Sequence, residues 1–190
     1  MALVTDAFGG RGGIAQYNRD LLGALVACGA VSAITVLPRH AAGPVAVPAP
    51  IRQAPPRPGR LAYTLAVLVW ALCRRAELVF CGHLHLAPLA WLIARLRRAK
   101  LIVQAHGVEA WTQPSRLRRA ALEAADLVLC VSRHTRSSVL EWAAIAPERV
   151  VVVPNTVGDQ FTPGDGAQMR AALGLDGRQV LLMVGRMDGG

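Results

Sequence analysis

Residues Gly9-Gly10-Arg11-Gly12-Gly13 stand just after an apolar start and just before a helical pattern. Glycines in such a place let the main chain approach a phosphate or a sugar, and the free amides at the start of a helix favour negative charge. Read as G-x-G-x-x-A, Gly10, Gly12 and Ala15 also satisfy the dinucleotide fingerprint. That fingerprint asks for an acidic residue about 20 positions on. The chain offers Leu37-Pro38-Arg39-His40 instead, so the dinucleotide reading survives only as an NADP-type site built on Arg39. No Lys-Ser or Lys-Thr pair follows the glycines, which excludes a P-loop. A tight turn into the helix with no ligand is the other reading.

A second group is Ala105-His106-Gly107-Val108-Glu109. His106 can donate to or accept from a sugar hydroxyl or a phosphate, and Glu109 can orient it or serve as an acceptor. In Val131-Ser132-Arg133-His134, Ser132 is suited to cap the following helix, and it can also face the same rim as His106. Asn155, in Val153-Pro154-Asn155-Thr156, suits a local side-chain to backbone turn. His83 and His85 flank Leu84, but no acidic or cysteine partner stands at ligand spacing, so no metal site is expected. No carboxylate pair, serine elbow or cysteine-histidine pair is legible, which leaves hydrolase chemistry without support. Cys28, Cys73, Cys81 and Cys130 lie far apart without paired spacing and read as reduced core residues.

The elements that must position these groups follow from periodicity. Short apolar runs at 2–5, 33–37, 78–81, 101–104, 127–131, 150–153 and 180–184 alternate with helical patterns at 13–28, 61–74, 88–97, 116–125, 133–142 and 168–173. That alternation predicts an α/β fold, a Rossmann-like parallel sheet with helices on both faces. Residues 38–60 hold seven of the twelve prolines and read as an irregular excursion from the sheet. The run at 180–184 has no crossover helix after it and reads as the first strand of another domain, giving domains at 1–176 and 177–190.

Composition narrows the partners. Among 190 residues 53% are hydrophobic and 17% charged, which excludes intrinsic disorder. The longest apolar run, 61–73, is shorter than the ~20 residues of a spanning helix. With no leader pattern at the start, the expected compartment is the cytoplasm. The net charge of +9 is nearly all arginine and points to anionic partners. Arg95, Arg97 and Arg98 lie near Trp91, and Arg116, Arg118 and Arg119 follow Trp111. These clusters are either solvated helix faces or contacts with an anionic membrane surface, which would make the protein peripheral at its inner face. Nucleic-acid binding lacks a recognition motif.

The series Gly9 to Gly13, His106-Gly107-x-Glu109, Val131-Ser132, Val153-Pro154-Asn155, Phe161-x-Pro163 and Val184-Gly185-Arg186 resembles glycosyltransferase family 4 in order and spacing. The resemblance implies the amino-terminal, acceptor-side half of a GT-B fold. It also implies retaining, metal-independent transfer of a hexose from a nucleotide diphosphate sugar to an acceptor hydroxyl of a glycan, lipid or small molecule, with no further cofactor. By the same resemblance, Gly12 and Gly13 would lie against the donor phosphate or the acceptor, and His106 would contact the transferred sugar. Arg186 would stabilise the leaving diphosphate, and Glu109, Ser132 and Asn155 would line the substrate site. The family's lysine and paired glutamates would fall after Gly190, so the chain alone is expected to be inactive and to need a carboxy-terminal domain. A non-catalytic acceptor- or membrane-binding module is the alternative, and an NADP-dependent oxidoreductase a minor one.

Overall fold

The computed structural model describes residues 1–41, 46–158 and 161–183. The chain forms two compact units, Met1–Thr156 and Val157–Gly190. In the first, seven strands make one sheet: β1 (Ala2–Val4), β2 (Ile34–Pro38), β3 (Ile51–Gln53), β4 (Leu78–Cys81), β5 (Lys100–Ala105), β6 (Leu127–Cys130) and β7 (Val150–Val152). Their order is β3-β2-β1-β4-β5-β6-β7, and every ladder is parallel. Parallel strands are covered on both faces, which is why these runs are apolar throughout rather than alternating.

Successive residues of one strand enter two different cores. Leu3, Val79 and Val103 pack with Tyr63, Ile93 and Leu122, which belong to the helices of one face. Ala2, Val4, Phe80 and Leu129 pack with Leu22 on the other face. The first face carries α2 (Arg60–Cys73), α3 (Ala87–Arg97), α5 (Arg116–Glu123) and α6 (Arg133–Trp142), and the second carries α1 (Gly13–Ala27). Each buried Leu or Val side chain contributes about 1.5–3 kcal/mol to that packing.

Local chemistry sets the helix ends. Ser132 accepts the Thr135 N–H at 3.1 Å and so caps α6. Pro88 sits in the first turn of α3, where its missing N–H costs nothing. Arg119 and Glu123, one turn apart on α5, pair at 2.7 Å, and the same carboxylate accepts the Ala144 N–H.

Several expectations need correction. Residues 38–60 are not wholly irregular, because Ile51–Gln53 forms β3 against β2, with Ile34 opposite Ile51. An edge strand pairs on one side only, so prolines can flank it. A short helix, α4 (Val108–Trp111), fills the expected gap after β5. Of the cysteines, Cys81 and Cys130 are buried but Cys28 and Cys73 are exposed, since they fall at the ends of α1 and α2 where the helices leave the sheet.

The second unit contains α7 (Ala167–Ala172), whose Arg170 donates to the Arg178 carbonyl at 3.0 Å. The strand expected at 180–184 is not formed at 180–183, where Leu181 and Met183 are exposed. A strand needs a neighbour to take its amide groups, and no described ladder includes these residues. Val184 lies outside the described residues.

Candidate functional site

The sheet order reverses at β1, which pairs with β2 on one side and β4 on the other. The carboxyl ends of the strands flanking such a reversal leave a crevice where ligands of open α/β sheets bind. The glycine loop follows β1 and Gly82-His83 follow β4, so both border that crevice.

Distant elements hold the glycine loop. Arg19, on α1, donates to the carbonyls of Ala7 at 2.6 Å and Gly10 at 3.0 Å. Gln53, on β3, donates to the Phe8 carbonyl at 2.8 Å and accepts the Phe8 N–H at 3.2 Å. The strand that sequence reasoning missed is therefore one that clamps the loop. Gly12 takes φ 93°, a left-handed conformation that favours glycine, and precedes the first residue of α1. Gly13 opens the helix with open space where a side chain would stand. Asp6, ahead of the loop, keeps its carboxyl above the usual range because burial outweighs the opposing charges of His40 and Arg19.

His106 is the centre of the arrangement. Its Nε2 lies 3.0 Å from the Gly82 carbonyl oxygen, which can only accept. The ring hydrogen must then sit on Nε2, leaving a lone pair on Nδ1. The His106 N–H donates to Glu109 Oε1 at 2.7 Å, and the ring meets Tyr17 of α1 edge-on with centroids 5.2 Å apart. Burial holds the imidazole below its ordinary pKa, against the raising effects of the Gly82 carbonyl and Glu109. His106 is therefore a neutral imidazole near pH 7, fit to exchange hydrogen bonds with hydroxyl groups.

Tyr17, which sequence reasoning did not single out, donates to Gln104 Oε1 at 2.8 Å, and Gln104 is fully buried. Its spacing of one helical turn from Gly13 was the available signal. Burial raises the Tyr17 hydroxyl to about 12, so it stays protonated and donating. Tyr17→Phe leaves Gln104 Oε1 without this donor and is expected to cost about 1–2 kcal/mol of stability, read by urea denaturation. An unchanged midpoint would show that water replaces the bond.

His83 and His85 stack with ring centroids 4.6 Å apart, and His83 Nδ1 accepts the His85 N–H at 3.2 Å. Among the described residues no three histidine, cysteine, aspartate or glutamate side chains converge as a metal site. Burial is the main cause that pushes His83 down to about 4, and it also lowers His85 and His106. Unfolded, these imidazoles take up protons below their ordinary value of about 6.5, whereas the folded chain resists until lower pH. Stability is therefore expected to fall as pH drops from about 6.5 toward 4, and to be insensitive to these groups above that window. Thermal melting at several acidic pH values tests this, because His83→Gln should flatten the decline. Equal slopes in both proteins would refute it.

Ser132, besides accepting the Thr135 N–H, lies 3.0 Å from the Thr135 hydroxyl, and Trp111 Nε1 reaches the same hydroxyl at 3.4 Å. Ser132 thus performs the capping role and sits beside α4 at the β6 end of the rim. Asn155 is exposed past the carboxyl end of β7. The structure brings His106 and Glu109 together, with Tyr17, Gly82 and His83 around them. Gly12, Gly13, Ser132 and Asn155 stand at other points of the same edge. Arg186 lies outside the described residues. Arg39, which an NADP site would need, turns its Nη2 to the Pro58 carbonyl at 3.2 Å.

The sequence profile of Glycosyltransferase Family 4 matches residues 11–161. Among solved structures, Anabaena HepE in complex with UDP-glucose is similar with a TM-score of 0.59 at 17% identity, over 92% of this chain and 50% of that one. The same protein in complex with UDP gives a TM-score of 0.57 at 17% identity, over 91% and 50%. The lipopolysaccharide outer core galactosyltransferase WaaB, in its apo form, gives 0.57 at 14% identity, over 82% and 45%. The chain thus spans about half the length of these structures. Among curated proteins none matches the chain.

Proposed function

The chain belongs to Glycosyltransferase Family 4, and on that premise we propose that it forms the acceptor-side half of an enzyme that moves a hexose from a nucleotide diphosphate sugar to an acceptor hydroxyl. The observation that carries the reading is the placement of His106, tied to Gly82 and Glu109 beside the point where the sheet order reverses. A neutral imidazole and a protonated tyrosine beside it suit the hydroxyl groups of a sugar, which offer donors and acceptors but no charge. The glycine loop, with its exposed helix-start amides, suits a phosphate or a sugar oxygen. The UDP and UDP-glucose complexes of HepE support a nucleotide diphosphate donor.

In the reaction the bond from the anomeric carbon to the diphosphate oxygen breaks, and its electron pair leaves with the diphosphate. The acceptor oxygen bonds to the same carbon, and its proton passes to the departing diphosphate oxygen. Charge grows on the leaving oxygen, where a cation such as Arg186 of Val184-Gly185-Arg186 would act most strongly. We read the transfer as retaining and metal-independent, in glycan, polysaccharide or glycolipid synthesis, at the cytoplasmic side. Because the chain spans about half of its structural neighbours, the 190-residue chain by itself is expected to turn over no sugar.

The test uses the chain alone and the chain continued by a family carboxy-terminal domain, each screened by thermal shift and product release against a panel of nucleotide diphosphate sugars. Stabilisation and transfer by the continued protein only is the expected result. Turnover by the 190-residue chain alone would overturn the half-enzyme reading. Stabilisation by NADPH with no response to any sugar nucleotide would overturn the glycosyltransferase reading in favour of an oxidoreductase.

A further inference from the structure

Helix α2 (Arg60–Cys73) is apolar all the way round. A helix of that kind is normally buried on every side. Here Tyr63, Val67 and Ala71 face the core, while Leu61, Leu65, Val69 and Leu72 stand 81%, 62%, 59% and 70% exposed. Their spacing of four, four and three residues makes one continuous stripe along the outer side of a helix about 20 Å long. No charged residue interrupts the helix between Arg60 and Arg74. The neighbouring helix of the same layer, α3, adds exposed Leu92 and Leu96.

The charge flanking this stripe is mostly positive. Arg57 and Arg60 stand exposed at its start, and Arg74 and Arg75 at its end. Over residues 21–108 there are nine arginines and Lys100, against Glu77 as the single carboxylate. A protein partner or a second copy of the chain would have to supply a matching acidic, apolar surface, and this basic face does not complement itself. An anionic phospholipid bilayer supplies both requirements: acyl chains for the leucines and phosphates for the guanidinium groups.

We propose that the outer face of α2 is a docking surface for an anionic phospholipid bilayer, with Leu61, Leu65, Val69 and Leu72 entering the interface and Arg57, Arg60, Arg74 and Arg75 on lipid phosphates. No described helix is long and apolar enough to cross a membrane, so α2 lies along the surface rather than through it. The placement differs from that expected on α3 and α5. Arg119 is committed to Glu123, so it is not free for a flat lipid surface. The proposal stands apart from sugar transfer, and its readout needs no donor or acceptor.

The 190-residue chain is sedimented with vesicles of phosphatidylcholine alone and of phosphatidylcholine mixed with phosphatidylglycerol, at low and high salt. Binding to the mixed vesicles only, weakened by salt, is expected. Leu65→Glu with Val69→Glu, and separately Arg74→Gln with Arg75→Gln, should each lower the partition coefficient roughly tenfold or more. All four positions are exposed, and an unchanged melting temperature confirms that the variants fold. Equal binding to neutral and mixed vesicles, or binding insensitive to both double variants, overturns the proposal. So does absence of vesicle binding, including the case where the chain dimerises and Leu65→Glu with Val69→Glu dissolves the dimer, which would make a second copy the occupant.

Discussion

Gly82→Val is expected to lower the unfolding free energy by about 3 kcal/mol, the upper end of the cost of overfilling a packed interior. A Cβ at this position would stand 2.8 Å from Val4 Cγ1, 3.0 Å from Asn18 Oδ1 and 3.3 Å from Phe80 Cε1. None can retreat. Val4 and Asn18 are completely buried, and Asn18 is pinned by its Nδ2 donating to the Asp6 carbonyl at 2.9 Å. The Gly82 N–H donates to the Leu3 carbonyl at 2.8 Å, so the strand cannot shift without breaking the β1–β4 ladder. Urea denaturation of the 190-residue chain measures the effect. Gly82→Ala should lose less than Gly82→Val, and a valine variant as stable as the parent would mean that the rim is loosely packed. The Gly82 carbonyl also receives His106, so ligand binding should weaken along with the fold.

His106→Ala in the chain continued by a carboxy-terminal domain is expected to lower the transfer rate by roughly 100-fold, the scale of losing one well-placed hydrogen-bonding group in a transition state. The imidazole is oriented by its Nε2 bond to the Gly82 carbonyl and by the edge-on contact with Tyr17, which fixes the direction of the Nδ1 lone pair. His106→Gln keeps a side-chain donor for the Gly82 carbonyl and should recover stability without recovering the rate. That split separates a residue that touches substrate from one that only holds the rim together. A rate within a few fold of the parent for His106→Ala would remove His106 from the site.

Much of the frame was legible because its signals are local. The six strands of the main sheet other than β3 appear as short apolar runs, and six helices follow from periodicity at nearly their observed bounds. Parallel pairing followed from the absence of polar alternation. What escaped had short elements or mixed composition: Ile51–Gln53 is three residues among prolines, and α4 is a single turn. The run at 180–183 looked like a strand because apolar composition reports a preference for burial, while strand formation depends on a neighbouring strand.

The same division holds at the site. His106 and Glu109 are three residues apart, so their hydrogen bond lies within reach of a sequence argument. Tyr17 and Gln104, 87 residues apart, meet only because α1 packs beside the β5 end of the sheet, and Gln53 reaches the glycine loop across 45 residues. Residue types and short spacings settle which chemistry the chain can present and which helices and strands carry it, since those depend on covalent neighbours. Which groups share the crevice, that His106 is buried enough to stay neutral, and that one face of α2 is left uncovered are decided by tertiary packing. Desolvation and long-range contact exist only once the layers have closed on one another.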